Sequence, residues 1–328
     1  MRPFTYVRAT DVRSALAAAG RDDSRYLGGG TNLLDLMKTG VEQPAQLVDV
    51  TRLPFSAVEE RGGGIRIGAT ARNSDVANHA LVRQRYPLLT QALVAGASAQ
   101  LRNMATMGGN LMQRTRCPYF YDPTFPECNK RALGSGCGAR LGYHRTHAIL
   151  GASEHCIATH PSDMAVALVA LEAVIQVMGA RGPRGIPIAD FYRLPGDTPH
   201  LDTNLEKGEL ITAIDLPLLS FAPRAHYLKV RDRQSYAFAL VSVGAMLDID
   251  ENRRVRAARV ALGGVAPKPW RVLEAERLLV GQPAEERAFE AAAARALQGA
   301  RPNRDNAFKV ELARRCVVRA LATAAAVT

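Results

Sequence analysis

No stretch of the 328-residue sequence runs for about 18 apolar residues, the minimum for a helix that crosses a bilayer, so membrane insertion is not expected. The most apolar tail, residues 316–327, is Ala-rich and interrupted by Arg319, which predicts a packed terminal helix. The N-terminus, Met1-Arg2-Pro3-Phe4-Thr5-Tyr6-Val7, has neither a hydrophobic stretch after its charge nor a twin-arginine pair. The chain is therefore expected to carry no export signal of its own and to fold in the cytoplasm. It would reach the periplasm only by co-export with a partner bearing a twin-arginine signal. Basic residues exceed acidic ones, for a formal net charge of +11, but they never form a long block. Helix-turn-helix, zinc-finger and RNP motifs are absent, so nucleic acid is not the expected partner. A solvated surface, an acidic partner subunit or an anionic cofactor accounts for the charge. Internal repeats and low-complexity tracts are also missing.

What is present suffices for more than one core: 47% of the residues are hydrophobic, and chains beyond about 250 residues tend to split into domains. An extended segment at residues 4–7 leads to a helix capped by Thr10-Asp11, with Val12, Ala15, Leu16 and Ala19 at helical spacing and Gly20 at its end. A strand over 25–27, a helix from about Asn32 and a strand over 44–50 complete a small βαβ-type unit. Ile65 and Ile67 alternate as in a strand, and helices are expected over 74–79 and 87–95. Residues 96–110 are loop-rich. From there to about 161 Pro, Gly, Cys and His dominate and periodicity vanishes, as in one long functional loop. Regular structure resumes with a helix to about 171, then strands over 174–178 and 210–216. Pro217 and Pro223 bracket a linker. Three strands (226–230, 237–249, 255–262) and two or three Ala-rich helices follow, a pattern of a separate α+β domain.

The chemistry is concentrated in three polar loops. Gly28-Gly29-Gly30-Thr31-Asn32 joins a strand to a helix, where backbone N–H groups approach a phosphate closely. It has neither the Lys-Ser/Thr end of a P-loop nor the spacing of a dinucleotide fingerprint, so a tight turn is an equal reading. Thr106-Met107-Gly108-Gly109-Asn110 is a second such loop, and two loops suit a ligand with two linked phosphates. His160-Pro161-Ser162-Asp163 opens a helix; Asp163 either caps it or accepts a hydrogen bond from a ligand. Of five cysteines, Cys316 reads as a small core residue, while Cys117, Cys128, Cys137 and Cys156 fall within 40 residues at spacings x10, x8 and x18. That clustering favours metal over disulfides in a chain folded in the cytoplasm. Spacing alone does not choose between zinc and an iron–sulfur cluster.

Gly29 to Lys38 (GGTNLLDLMK), Thr106 to Leu111 (TMGGNL) and Pro161 to Ala165 (PSDMA) resemble the FAD-binding domain of the xanthine dehydrogenase and carbon monoxide dehydrogenase flavoproteins. Tyr227 to Arg231 (YLKVR), Tyr236 to Val241 (YAFALV) and Ala261 to Ala266 (ALGGVA) resemble that family's C-terminal domain. The resemblance implies an α/β (α+β) fold: a two-lobed FAD-binding domain of the PCMH (vanillyl-alcohol-oxidase-like) type over 1–217, followed by an α+β flavoprotein domain over 218–328. The lobes are expected at about 1–55 and 56–217. The resemblance also implies that Tyr26, Leu27, Gly28, Gly29, Gly30, Thr31, Asn32 and Leu33 wrap the FAD pyrophosphate. Thr106, Gly109 and Asn110 would hold its other side, and Asp163 would bond a polar group of FAD. Lys229, for which a surface lysine on a strand is the lesser reading, would approach the flavin end, its charge favouring reduced flavin.

The insertion at about 111–160 resembles the flavin subunits of bacterial periplasmic aldehyde oxidoreductases, through Arg114 to Asp122 (RTRCPYFYD), Cys128 to Arg131, Gly134 to Cys137 and Cys156 to Pro161. That resemblance implies a [4Fe–4S] cluster on Cys117, Cys128, Cys137 and Cys156. His144, His147, His155 and His160 are then not needed as ligands. The implied function is electron transfer within a molybdenum hydroxylase: a large molybdenum-cofactor subunit oxidises an aldehyde, a small subunit with two [2Fe–2S] centres relays electrons to FAD here, and an external acceptor removes them. The chain has no ferredoxin-type four-cysteine motif for those centres and no acid–base constellation beside its glycine loops, so catalytic residues of its own are not expected. A free-standing flavoprotein reductase and a zinc-braced interaction module are the alternatives.

Overall fold

The computed structural model describes residues 1–21, 23–221 and 224–327. Three sheets order it. In the first, β1 (Thr5–Arg8), β2 (Ser24–Leu27) and β3 (Gln46–Asp49) lie parallel with β3 in the middle. The intervening helix Val12–Ala19 starts at a capping box in which Asp11 accepts from the Ser14 amide at 2.8 Å and Ser14 accepts from the Asp11 amide at 3.1 Å. Each bond satisfies a donor that the first helical turn leaves orphaned. The helix Leu33–Thr39 stops at Gly40, whose φ of +81° is a conformation that side chains resist.

The second sheet is antiparallel, in the order β4 (Val58–Arg61), β5 (Gly64–Gly68), β8 (Leu210–Leu216), β6 (Val174–Gly179), β7 (Gly182–Pro187). Between β5 and β6, residues 69–173 leave the sheet as one excursion, and Arg66 on β5 grips Asp215 on β8 through two 2.6 Å bonds. That excursion carries the helices Pro87–Ala95 and Asp163–Ala170 and the cysteine-rich stretch. Every residue of Asp163–Ala170 is buried.

The third sheet runs β9 (Ala225–Val230), β10 (Val241–Ile249), β11 (Val255–Gly263), β12 (Trp270–Arg271) in reverse spatial order, all antiparallel. Val241, Val243, Ala245, Leu247 and Ile249 face a core built with the helices Glu286–Ala296 and Phe308–Ala325. Met246 points the other way, into the core of the first two-thirds of the chain, alongside Leu88 and Leu168. The period of two thus makes one strand serve two cores. Gly244 lies on the second face, where a Cβ would stand 3.5 Å from Leu88. The two-domain α+β expectation holds in this architecture. Pro223, one of the two expected linker prolines, lies outside the described residues, and no helix among those described is long and apolar enough to cross a membrane.

Several elements differ from the sequence reading. Residues 179–185 read from the sequence as a turn, but Gly182–Pro187 forms β7, a Pro- and Gly-containing edge strand, which is where such residues are tolerated. β10 begins at Val241 instead of 237. Residues 96–110 contain two short helices, Ala99–Arg102 and Met107–Leu111, each begun by a hydroxyl cap, Ser98 and Thr106.

Charge also joins the two parts. Arg271 on β12 grips Glu276 through bonds of 2.7 and 2.9 Å, and it reaches Glu172 at 3.0 Å and the Val169 carbonyl at 3.2 Å. Both Arg271 and Glu276 are largely buried. Arg271→Ala strands the Glu276 carboxylate and is expected to lower stability by about 3 kcal/mol, read from the denaturant midpoint. The double variant with Glu276→Gln should recover part of that loss; an unchanged midpoint for Arg271→Ala would show that the contact contributes nothing.

Candidate functional site

The two glycine loops meet face to face. A Cβ on Gly29 would fall 1.8 Å from the Met104 carbonyl oxygen, and one on Gly28 would fall 2.7 Å from Thr106 Oγ1. Gly30 has φ +76°. Here the missing side chains allow two backbones to touch. Thr106 Oγ1 accepts from the Gly109 amide at 3.1 Å, and the amides of Met107 and Gly108 donate to Ala71 and Ala69 at 2.9 and 2.8 Å. The second loop is therefore fastened to the segment that follows β5.

Between the loops opens a cleft of about 470 Å³, lined by Tyr26, Gly28, Gly29, Gly30, Thr31, Asn32, Leu33, Thr106 and Gly109. Its far wall carries Arg114, Lys130, His160, Tyr192, Asp202 and Lys207. A second cavity of about 230 Å³ shares Thr115, Thr159 and His160 with the cleft and continues past Arg116, His147, Ser162, Asp163, Phe238 and Gly264. Most of the residues expected from the sequence thus line the cleft or the adjoining cavity. Leu27, Asn110 and Lys229 stand behind its walls: Asn110 Oδ1 accepts from Ser162 Oγ at 2.7 Å.

Asp163 borders the smaller cavity. Its Oδ1 accepts from the Tyr227 hydroxyl and its Oδ2 from Lys229 Nζ, both at 2.7 Å, while Lys229 also donates to the Ala95 carbonyl at 3.1 Å. The helix cap is Ser162, whose Oγ accepts from the Ala165 amide at 3.0 Å, so Asp163 is not needed for capping. Burial, followed by the neighbouring Asp163 charge, pushes the Tyr227 phenol well above its ordinary range. Tyr227 was legible only as part of a motif; its position opposite Asp163 comes from the pairing of β9 with β10.

The far wall is charged and internally matched. Asp202 accepts from Arg114 Nε at 2.8 Å and pairs with Lys130, while Arg114 Nη1 reaches Glu42 at 2.7 Å. Burial works against the Asp202 charge, but Lys130 and Arg114 hold its carboxyl below the usual range. Arg116 Nη2 donates to Asn32 Oδ1, and Nη1 pairs with Asp35 at 3.2 Å.

The cysteine-rich stretch corrects the cluster expectation. Among the described residues, no group of three or more His, Cys, Asp or Glu side chains is placed to hold a metal ion. Cys117, Cys128, Cys137 and Cys156 therefore do not form the expected [4Fe–4S] site, and the same finding removes the zinc-braced alternative. They are free thiols packed with Phe120, Ala139, Ile157 and Ala158 in an apolar cluster. Burial pushes the Cys117 thiol up to about 12 and the Cys156 thiol up to about 11, so both keep their protons at neutral pH. Cys117 Sγ lies 3.1 Å from Nε2 of His147, whose imidazole burial lowers to about 4.

One buried lysine, unnoticed in the sequence, fastens this stretch to the C-terminal domain. Lys309 Nζ donates to the carbonyls of His147 at 3.0 Å, Thr146 at 3.3 Å and Gly264 at 2.5 Å. Burial lowers its ammonium to about 7. Between pH 7 and 9 the unfolded chain then binds more protons at this residue than the folded chain, so its contribution to stability improves as pH rises. Relative to Lys309→Met, the native chain is expected to gain about 2 kcal/mol over that interval, read from denaturant midpoints at the two pH values. A constant difference would mean that the three carbonyls keep the ammonium charged throughout.

Comparison with known proteins agrees with this geometry. Residues 2–219 match the FAD binding domain in molybdopterin dehydrogenase, and residues 226–324 match the CO dehydrogenase flavoprotein C-terminal domain. The aldehyde oxidoreductase FAD-binding subunit PaoB of Escherichia coli is 50% identical over 99% of both chains. The glyceraldehyde dehydrogenase medium chain of Sulfolobus acidocaldarius is 30% identical over 85% of this chain and 82% of its own. A crystal structure of carbon monoxide dehydrogenase from Hydrogenophaga pseudoflava superimposes with a TM-score of 0.77 at 26% identity, covering 98% of this chain and 97% of that one. A cleft beside two touching glycine loops, on a chain matched along almost its whole length, makes this protein a FAD-binding subunit of the molybdenum-hydroxylase (xanthine oxidase-like) family.

Proposed function

We propose that the chain is the electron-transfer subunit of a molybdenum-dependent aldehyde oxidoreductase, holding FAD in the cleft between the glycine loops. The observation that carries this reading is the approach of Gly29 to the Met104 carbonyl, which leaves the glycine-loop side of the cleft walled by backbone. Such walls suit a dinucleotide's pyrophosphate. Tyr26 to Leu33 would hold one side and Thr106 and Gly109 the other. The smaller cavity would receive the flavin end beside Asp163, with Lys229 acting through Asp163, since it reaches that carboxylate and stands behind the wall. Bound FAD supplies the ability to accept electrons singly and release them in pairs. This chain's residues orient the cofactor and exclude water from it.

The 50% identity to an aldehyde oxidoreductase subunit supports aldehydes as the substrates of the complex. The oxidation itself belongs to a molybdenum-bearing partner, with an iron–sulfur partner relaying electrons to FAD and an external acceptor removing them. Co-export of the assembled complex through a partner's signal is consistent with this reading. We place the division between the FAD-binding and C-terminal domains at 217/218.

Co-expressed with candidate partner subunits, the chain should purify as a complex whose flavin absorbance bleaches when an aldehyde is added without air. The FAD-loaded chain alone should show no bleaching. Aldehyde oxidation by the isolated chain would overturn the subunit reading. Gly29→Val drives the loops apart at Met104 and is expected to weaken FAD binding at least about tenfold, by the loss of one or more charge-assisted contacts. Flavin content equal to that of the native chain would remove this loop from the site.

A further inference from the structure

The glycine loop that faces the cleft contains no lysine or arginine between Gly28 and Leu33. Backbone amides alone would meet the two negative charges of a pyrophosphate. Cations around the cleft are mostly committed elsewhere. Arg25 and Arg114 both reach Glu42, and Arg114 and Lys130 both reach Asp202. Glu42 is only 13% exposed and Asp202 31%, so those pairs are partly screened from water.

Arg116 is different. Its Nη2 donates to Asn32 Oδ1, which places the guanidinium against the last residue of the glycine loop. Its carboxylate partner, Asp35, is 48% exposed and 3.2 Å away, a contact that solvent weakens. Its Nε is buried without a hydrogen-bond partner among the described residues, a state that is costly unless something completes it. The guanidinium lies over two rings, Tyr121 at 5.3 Å and Phe238 at 5.1 Å, one from the cysteine-rich stretch and one from the C-terminal domain. Arg116 also lines the smaller cavity, next to Thr115, which lines both. A delocalised, always-charged fork held flat by aromatic rings is well suited to phosphate oxygens.

We propose that Arg116 is an FAD-binding residue, supplying from the cysteine-rich stretch, at the junction of the smaller cavity with the cleft where it meets Asn32, the positive charge that the glycine loop lacks beside the FAD pyrophosphate. The inference rests on the placement of FAD in this cleft. It gives the cysteine-rich stretch a function: it closes the cofactor site from the side, with Tyr121 and Phe238 setting the plane of the guanidinium. Asp35 is then a competitor for that charge.

The test uses the full-length chain, stripped of flavin and titrated with FAD. Arg116→Gln is expected to raise the dissociation constant about 10- to 100-fold, the value of one or two charge-assisted hydrogen bonds. ADP-ribose, which carries the pyrophosphate without the flavin ring, should lose affinity by a similar factor. Arg116→Lys should recover part of the loss by keeping the charge without the fork. Asp35→Asn separates a ligand contact from a strut. If Arg116 binds FAD, removing Asp35 leaves FAD binding as tight or tighter. If Arg116 only braces the helix Leu33–Thr39, Asp35→Asn weakens FAD as much as Arg116→Gln does, and the proposal falls. Unchanged FAD affinity in Arg116→Gln also overturns it, as does a loss confined to FAD with ADP-ribose unaffected. Failure of the native chain to bind FAD would sink the placement of the cofactor itself, a separate outcome.

Discussion

Asp163 is a carboxylate withdrawn from water at the start of a helix whose every residue is buried, and Tyr227 and Lys229 reach it from the C-terminal sheet. A buried charge is tolerated only when it is paired and hydrogen-bonded; left alone it costs several kcal/mol, on the order of 3–5 when a partner is removed. This pairing therefore sets how the C-terminal domain sits on the FAD-binding domain. Lys229 and Tyr227 alternate on β9, and Ser242 and Gly244 follow the same period on β10, so the whole face is committed once the pair forms. The smaller cavity lies along this seam, with Asp163 and Ser162 from one side and Ser242, Gly263 and Gly264 from the other. A site for the flavin end thus arises where two domains must be held in register. The ion pair that holds them supplies its polar wall.

The cysteine-rich stretch takes its form from the same need to cover a seam. It has almost no regular structure, only the turn Pro118–Tyr121. It is fastened by polar contacts instead: Lys309 from the C-terminal helix collects the carbonyls of Thr146 and His147, Arg114 and Lys130 converge on Asp202, and its own Arg131 collects the carbonyls of Tyr119, Phe120 and Asp122. Packed this way, Cys117 and Cys156 face apolar neighbours and keep their protons. Four thiols close in sequence suggested a cluster. The arrangement of the chain around them brings together an apolar core instead, with cations placed around the cleft.

Much of the local structure was legible in the residues. Thr10-Asp11 announced a helix start, Gly20 its end, and the glycine triplet after β2 a strand-to-helix turn, because each acts over three or four residues through its own backbone geometry. The alternation of Ile65 and Ile67 and the apolar run of 210–216 marked strands that lie in the core. Edge strand β7 was not legible, since its Pro and Gly residues argue for a turn and only the neighbouring β6 makes it a strand.

The sequence by itself determined the class of fold, the glycine loops and the family to which the chain belongs, because those follow from local conformational preference and from motifs read in order. Tertiary structure alone decided what the loops enclose. It set Gly29 against the Met104 carbonyl, turned Lys229 towards Asp163, buried Lys309 under three carbonyls and brought Arg116 over the rings of Tyr121 and Phe238. Apart from Arg116 with Tyr121, these join residues 45 to 163 positions apart, and local propensity has no bearing on such distances. They are selected by burial, because a charge or polar group removed from water must find its partner wherever the chain has brought one.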